Sequence, residues 1–235
     1  MTDEQPVALF RTPRGAGAQM AYRLDTNDWN TLVSCLNEDE YGLAALTFDP
    51  GAVLVDVGAY AGGICIGLAL DNPGVHVIAV EPLPANVELI ADNIARNALG
   101  ERITLLPMAV AAPGTRRTTI RWAFDETESG RHHRYVGNST LATDTETSQH
   151  ALVDCVTLTD LVVLAGGLID LLKVDCEGGE YPLFADAAAL PGVGAIVGEY
   201  HDGWQRLVDL LDATHIATQV GACTPSFGGF RAVPR

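Results

Sequence analysis

The sequence predicts an α/β fold, a doubly wound and mostly parallel sheet built as a single domain over residues 1–235. Three observations carry that prediction. Short apolar runs such as Val53-Leu54-Val55-Asp56-Val57 and Val75-His76-Val77-Ile78-Ala79-Val80 alternate with segments of helical period, the pattern of a parallel sheet covered on both faces. A glycine-rich turn, Gly58 to Gly63, joins the first of these runs to the helix that follows. An acidic residue, Glu81, closes the second run.

Residues 1–51 have mixed polarity and read as a short helical extension, with helices over Asn27 to Leu36 and Glu38 to Leu46 and a turn at Phe48-Asp49-Pro50-Gly51. Residues 52–110 read as a cofactor-binding half. It holds the strand 53–57, a helix to Leu70, the strand 75–80, a helix from Pro84 to Leu99 and a strand from Ile103 to Met108. Pro84 suits a first helical turn and Gly100 a stop. Residues 111–158 read as a strand-loop-strand insertion. Strands over Thr115 to Phe124 and Leu152 to Leu158 flank a polar stretch, Asp125 to His150, whose length marks a lid or a disordered loop. Residues 159–235 read as an acceptor-side half. Its elements are a strand over Leu168 to Val174, a helix over Gly179 to Leu190 despite Pro182, a strand over Ala195 to Tyr200, a helix over Gly203 to Asp212, and strands around Ile216 to Val220 and Phe227 to Val233.

Composition narrows the function classes. Lys plus Arg number 14 against 30 Asp plus Glu, a formal charge of −16 that repels phosphate backbones and anionic membranes. No nucleic acid or membrane is expected as a partner, and the acidic start, without an apolar run, reads as cytoplasmic. The five cysteines are odd in number and form no C-x-x-C pair, which argues for free thiols in a reducing compartment. Cys176 reads as a small buried hydrophobe in preference to a nucleophile.

The segment Asp56-Val57-Gly58-Ala59-Tyr60-Ala61-Gly62-Gly63 carries the most chemistry. Its glycines let backbone turn sharply and approach a ligand, and the helix start beyond offers free N–H groups to a carboxylate. A nicotinamide fingerprint reads G-x-G-x-x-G, whereas the spacing here is Gly58-x-x-x-Gly62 behind an acidic strand residue, a form typical of methyltransferases. Glu81, about 20 residues on, is placed to accept hydrogen bonds from both hydroxyls of a ribose. A nucleoside-bearing donor, S-adenosyl-L-methionine in preference to NAD, fits this pair. Asp56 and the Gly58 backbone then hold its methionine end, Glu81 its ribose, and Met108 and Ala109 flank its adenine, with Ala59, Tyr60, Gly62 and Pro82 as further cofactor-binding candidates.

The chain resembles the FkbM-type methyltransferases from about Asn37 to His201. The likeness rests on Val55-Asp56-Val57-Gly58-Ala59 with Gly62, on Val80-Glu81-Pro82 with Asn86 and Asn93 to Asn97, and on Met108-Ala109-Val110. It continues through Asn138-Ser139-Thr140-Leu141, Thr157-Leu158-Thr159-Asp160-Leu161, Leu172 to Glu180 and Glu199-Tyr200-His201. Tyr60 and Ala61 stand where Asn-Ile is common, and Gly179 where Ala is usual. The resemblance implies a class I, Rossmann-like fold and an S-adenosylmethionine donor. It also implies O-methylation of a hydroxyl on a sugar, natural product or other small metabolite.

Transfer to an alcohol needs alignment and removal of a proton, by a base or a divalent metal. Asp175 closes one strand, Glu177 and Glu180 follow it, and Glu199 and His201 lie two apart on the next strand, facing one side. Asp175, Glu199 and His201 are therefore the candidate catalytic residues. Three readings compete: these three hold a divalent ion such as Mg, His201 or Asp175 is a general base without metal, or the groups fix loop geometry, with Lys173 paired to a carboxylate and Glu180 at its helix start. The basic segment Arg131-His132-His133-Arg134-Tyr135 reads as a solvated loop or a contact for an anionic acceptor, and Trp204 as packing or pocket wall. The expected acceptor is a small molecule or glycan, and a homodimer is possible. Competing functions are an N- or carboxyl-methyltransferase on a peptide or amine, a non-catalytic S-adenosylmethionine-binding protein, and a nicotinamide oxidoreductase.

Overall fold

The computed structural model describes residues 5–24, 26–126, 132–135 and 149–235, with backbone alone over 122–126, 132–135 and at 149. The N-terminal stretch opens with an antiparallel hairpin, β1 (Val7–Arg11) and β2 (Gly17–Ala21). Helical structure follows only over α1 (Asp28–Leu32), a π-helical turn at Val33–Asn37 and a 3-10 turn at Leu43–Ala45. The expectation of a helical extension over 1–51 is corrected to a hairpin followed by helical turns. The hairpin forms because Phe10, Ala18 and Met20 are buried on one side, a period-2 pattern too short to stand out in sequence.

The alternation then runs β3 (Val53–Val57), α2 (Gly63–Asp71), β4 (His76–Val80), α3 (Pro84–Arg96) and β5 (Ile103–Leu106). The third strand is shorter than Ile103 to Met108 because the chain turns at Pro107: the Met108 N–H bonds back to the Leu106 carbonyl at 2.9 Å instead of continuing the ladder with β4. Beyond it β6 (Ala109–Val110) joins a second sheet with β7 (Arg117–Glu126), β8 (His132–Tyr135) and β9 (Gln149–Val156), in the order β6-β9-β7-β8. These strands form the insertion expected over 111–158; most of its polar stretch, with the lid reading and the Asn138-Ser139-Thr140-Leu141 motif, lies outside the described residues.

The remainder is α4 (Leu158–Leu164), β10 (Ile169–Val174), α5 (Glu180–Phe184), β11 (Val193–His201), α6 (Trp204–Leu211), β12 (His215–Val220) and β13 (Phe227–Pro234). The helix expected over Gly179 to Leu190 shrinks to α5. Pro182 is tolerated there because it falls in the first turn, where N–H groups have no helical partner. Asp186 then leaves the helix to accept the Thr159 N–H at the start of α4.

The main sheet has seven strands in the order β12-β13-β11-β10-β3-β4-β5, parallel except around β13, which runs antiparallel to both neighbours. Alternate residues serve two cores: Leu54, Val77 and Leu171 face α2 and the N-terminal segment, while Val55, Val57, Leu172 and Val174 face α4, α5 and α6. From β3 the chain winds outward through β4 to β5, and from β10 the other way to β11. The direction reverses between β3 and β10, and ligands of open α/β sheets bind outside the strand ends at such a point.

Candidate functional site

At that reversal a cavity of about 400 Å³ opens. Gly58, Ala59 and Tyr60 line it from the end of β3, Glu81 and Pro82 from β4, Met108 from beyond β5, and Asp175 and Glu177 from beyond β10. Thr31, Glu40 and Tyr41 of the N-terminal segment close another side.

The turn after β3 is dictated by its neighbours. The Gly58 and Ala59 N–H groups donate to the Val80 carbonyl at 2.9 and 3.2 Å. Gly58 has φ +76, and a Cβ there would overlap the Asp175 carbonyl oxygen. The glycine is thus required by the backbone of β10 as much as by any ligand. It also fixes the loop after β10 directly against the loop after β3.

Glu81 is 5 % exposed. Its Oε2 accepts the Tyr60 N–H at 3.0 Å; its Oε1 accepts the Leu83 N–H at 3.0 Å and the Asn86 side-chain amide at 3.2 Å. Burial raises its pKa against these hydrogen bonds. A carboxylate offers roughly four acceptor positions. Glu81 therefore has room for about one more strong donor, fewer than the two ribose hydroxyls read from sequence, and that remaining position at the cavity wall fits a nucleoside.

Asp56 does not line the cavity. It is fully buried beneath the turn, 3.2 Å from Lys173 Nζ, its register partner on β10. Lys173 Nζ also donates to the Val57 and Gly58 carbonyls at 3.3 and 2.9 Å. Burial works against the ammonium charge, but Asp56 and Asp175 outweigh it and hold the lysine pKa above its ordinary value. This ion pair staples β3 to β10. Gly62 opens α2 with φ +88, and Ala109 is buried in the satellite core of the second sheet; neither lines the cavity.

The acidic candidates do converge. His201 Nε2 lies 3.8 Å from Asp175 Oδ1, 3.6 Å from Glu177 Oε2 and 3.7 Å from Glu199 Oε2. Glu180, fully buried, orients the ring: its Oε1 lies 3.1 Å from Nδ1 and accepts the His201 backbone N–H at 2.8 Å, while its Oε2 accepts the Gly178 N–H at 2.9 Å. Burial opposes the imidazolium, but Glu180, then Glu177 and Asp175, push the His201 pKa up to about 9. Burial and the charge of Asp175 push Glu199 up to about 7, and burial raises Glu177. Glu199 and His201 adjoin the cavity through Asp175 and Glu177 without lining it themselves. Asp175, Glu177 and His201 offer ligand atoms within 4.8 Å of one another, so Glu177 takes the place that the sequence reading gave Glu199 in a metal set.

The Cys176 thiol, buried near Glu180 at 3.7 Å, is pushed well up by burial and stays protonated, the behaviour of a packed hydrophobe. Trp204 packs on Tyr200 at 5.4 Å and lies outside the lining. The side chains of Arg131 to Tyr135 are not among those described. Sequence reasoning missed Tyr41, whose hydroxyl donates to Asp175 Oδ2 at 2.9 Å across 134 residues of chain. No local signal marks it.

The family model described as "Methyltransferase FkbM domain" matches residues 56–216. The chain is similar to 31-O-demethyl-FK506 methyltransferase FkbM of Streptomyces tacrolimicus, at 29% identity over 202 residues, 77% of this chain and 78% of that protein. Among solved structures it is similar to precorrin-6y C5,15-methyltransferase from Geobacter metallireducens GS-15, with a TM-score of 0.49, 14% identity and 93% of each chain covered. An O-methyltransferase from Bacillus cereus in complex with SAH gives a TM-score of 0.47 at 16% identity, over 88% of this chain and 91% of that one. With the matched segment running from the buried Asp56 through the seven-stranded sheet to the start of β12, the chain belongs to the FkbM family of S-adenosylmethionine-dependent methyltransferases, with the class I, Rossmann-like fold.

Proposed function

We propose that the protein transfers the methyl group of S-adenosylmethionine to a hydroxyl oxygen of a small-molecule or glycan acceptor. One observation carries this reading: the Gly58 turn and the Asp175 backbone are in contact, so the imidazole–carboxylate cluster stands beside the donor turn. The name of the relative from Streptomyces tacrolimicus, an O-methyl-forming enzyme, agrees with it.

The bound donor supplies an electrophilic methyl carbon on a sulfonium. Glu81 and the backbone around Gly58 to Tyr60 are placed to hold it, and Met108 flanks it. Asp175, on the cavity wall, has Oδ2 held by the Tyr41 hydroxyl and Oδ1 turned toward His201 Nε2, and is the carboxylate placed to accept the acceptor's proton. As the new oxygen–carbon bond forms, the carbon–sulfur bond breaks, its electron pair stays on sulfur, and the proton moves to the Asp175 carboxylate. Burial and the charge of Asp175 push Glu199 up to about 7, so a second carboxyl of the cluster can hold a proton near neutral pH. His201, cationic in neutral water, holds the surrounding carboxylates in place.

The test is a transfer assay with labelled S-adenosylmethionine on a panel of hydroxylated sugars and natural products, the product linkage being assigned by NMR. An O-methyl ether that forms equally well after exhaustive chelation is the expected result. Exclusively N-methyl or ester products would overturn the acceptor reading, and activity restored only by added Mg would overturn the metal-free base.

A further inference from the structure

We propose that Tyr41 is a positioning residue of the transfer site: its hydroxyl fixes the Asp175 carboxylate, and Arg231 of β13 holds Tyr41 in place. The proposal rests on the reading of Asp175 as the proton acceptor. Tyr41 lies on the N-terminal segment and Arg231 near the other end of the chain, both outside the matched residues 56–216.

The geometry constrains Asp175 from both sides. Oδ2 accepts the Tyr41 hydroxyl at 2.9 Å, while Oδ1 faces His201 Nε2 at 3.8 Å. A carboxylate free to rotate presents either oxygen to the cavity; with Oδ2 tied to Tyr41 and Oδ1 turned toward His201, Asp175 is held in one orientation at the cavity wall. The Tyr41 ring lies over Lys173 Nζ, 5.6 Å from its centroid, and Lys173 is itself anchored to Asp56 and to the carbonyls at the end of β3. The ring is thus seated on the staple between β3 and β10. Its burial, with the charges of Asp175, Glu40 and Glu199, raises the phenol pKa well above its ordinary value. In neutral water the hydroxyl keeps its proton and serves only as donor toward Asp175.

Arg231 completes the arrangement. Its Nη2 donates to the Tyr41 and Gly42 carbonyls at 2.8 and 3.3 Å. Gly42 has φ +63, a conformation that L side chains rarely adopt, and the Arg231 guanidinium packs against its open side. A residue whose only task was to fill the cavity wall would need neither the hydroxyl nor this clamp.

The experiment compares Tyr41→Phe, Asp175→Asn, Arg231→Ala and the Tyr41→Phe/Asp175→Asn pair. Tyr41→Phe keeps the ring over Lys173 and removes one hydrogen bond to a charged group. Its kcat should fall about tenfold, with the Kd for S-adenosylhomocysteine and the melting temperature unchanged. In the Asp175→Asn background the same change should add less than twofold, because the bond it removes has already lost its charged acceptor. Arg231→Ala should reproduce the kcat loss in part. Independently of any acceptor, the carboxyl 13C resonance of Asp175 should move in Tyr41→Phe and in Arg231→Ala. Wild-type kcat in Tyr41→Phe, fully multiplicative effects in the pair, or an unmoved Asp175 resonance would overturn the proposal. A moved resonance in a protein that forms no O-methyl ether would leave the positioning intact and overturn the functional reading instead.

Discussion

At the scale of single residues, the site depends on carboxylates that do two things at once. Glu81 accepts three protein hydrogen bonds and keeps about one acceptor position at the cavity wall, the one proposed for the donor's ribose. Glu81→Ala should therefore raise the Kd for S-adenosylhomocysteine about tenfold or more by calorimetry, the scale of one charge-assisted bond plus a loosened Tyr60 turn. His201 and Glu199 give a pH signature. A group whose pKa is raised by folding stabilises the native state fully below its unfolded value, and that contribution is lost as pH rises through the folded value. For Glu199 the window runs from 4.5 to about 7, and for His201 from 6.5 to about 9. The urea midpoint should thus fall between about pH 4.5 and about pH 9, and His201→Gln should flatten the upper part of that fall. The sequence made Glu81 and the Asp175–Glu199–His201 group legible because each sits at a strand end, where spacing alone gives position. Asp56 also stood at the right spacing, but its direction was not legible. The register that pairs it with Lys173 depends on which strand lies beside β3, and that is a property of the sheet.

At the scale of elements, the segments with strong periodicity were readable and those with tertiary causes were not. β3, β4, α3 and β10 lie within a residue or two of their expected spans, apart from the last turn of α3. The hairpin β1–β2 and the shortening of α5 each answer to a partner far away, and the early end of β5 to a turn that sends the Met108 N–H back to Leu106. Helix α4 was overlooked although its start carries a capping box. Thr157 accepts the Asp160 N–H, and Asp160 accepts the Thr157 N–H at 3.0 Å. Because α4 has only seven residues and exposes Val163 and Leu164, its cap should matter. Thr157→Ala should cost about 1 kcal/mol of unfolding free energy, read from denaturant curves, with donor affinity unaltered.

At the scale of the whole molecule, charge and topology dominate. A formal charge of −16 on 235 residues means that folding gathers carboxylates against their mutual repulsion. Raising NaCl from about 20 mM to about 500 mM should lift the melting temperature by a few degrees, since screening acts within about a nanometre; an unchanged or lower value would show that local ion pairs outweigh the net field. Among the described residues no helix is long and apolar enough to cross a membrane.

The placement of β13 has a consequence for biosynthesis. It is the final strand of the main sheet in chain order, yet it lies inside that sheet, inserted between β11 and β12. While the ribosome is still adding the residues before Phe227, β11 offers a bare hydrogen-bonding edge and β12 has nothing to pair with. Closure must wait for the nascent chain to deliver this last segment, a non-local step that is slow and exposes the intermediate to self-association. A stalled or clipped chain lacking the segment should accordingly be found in aggregates, even though the Gly58 turn and Glu81 were made long before.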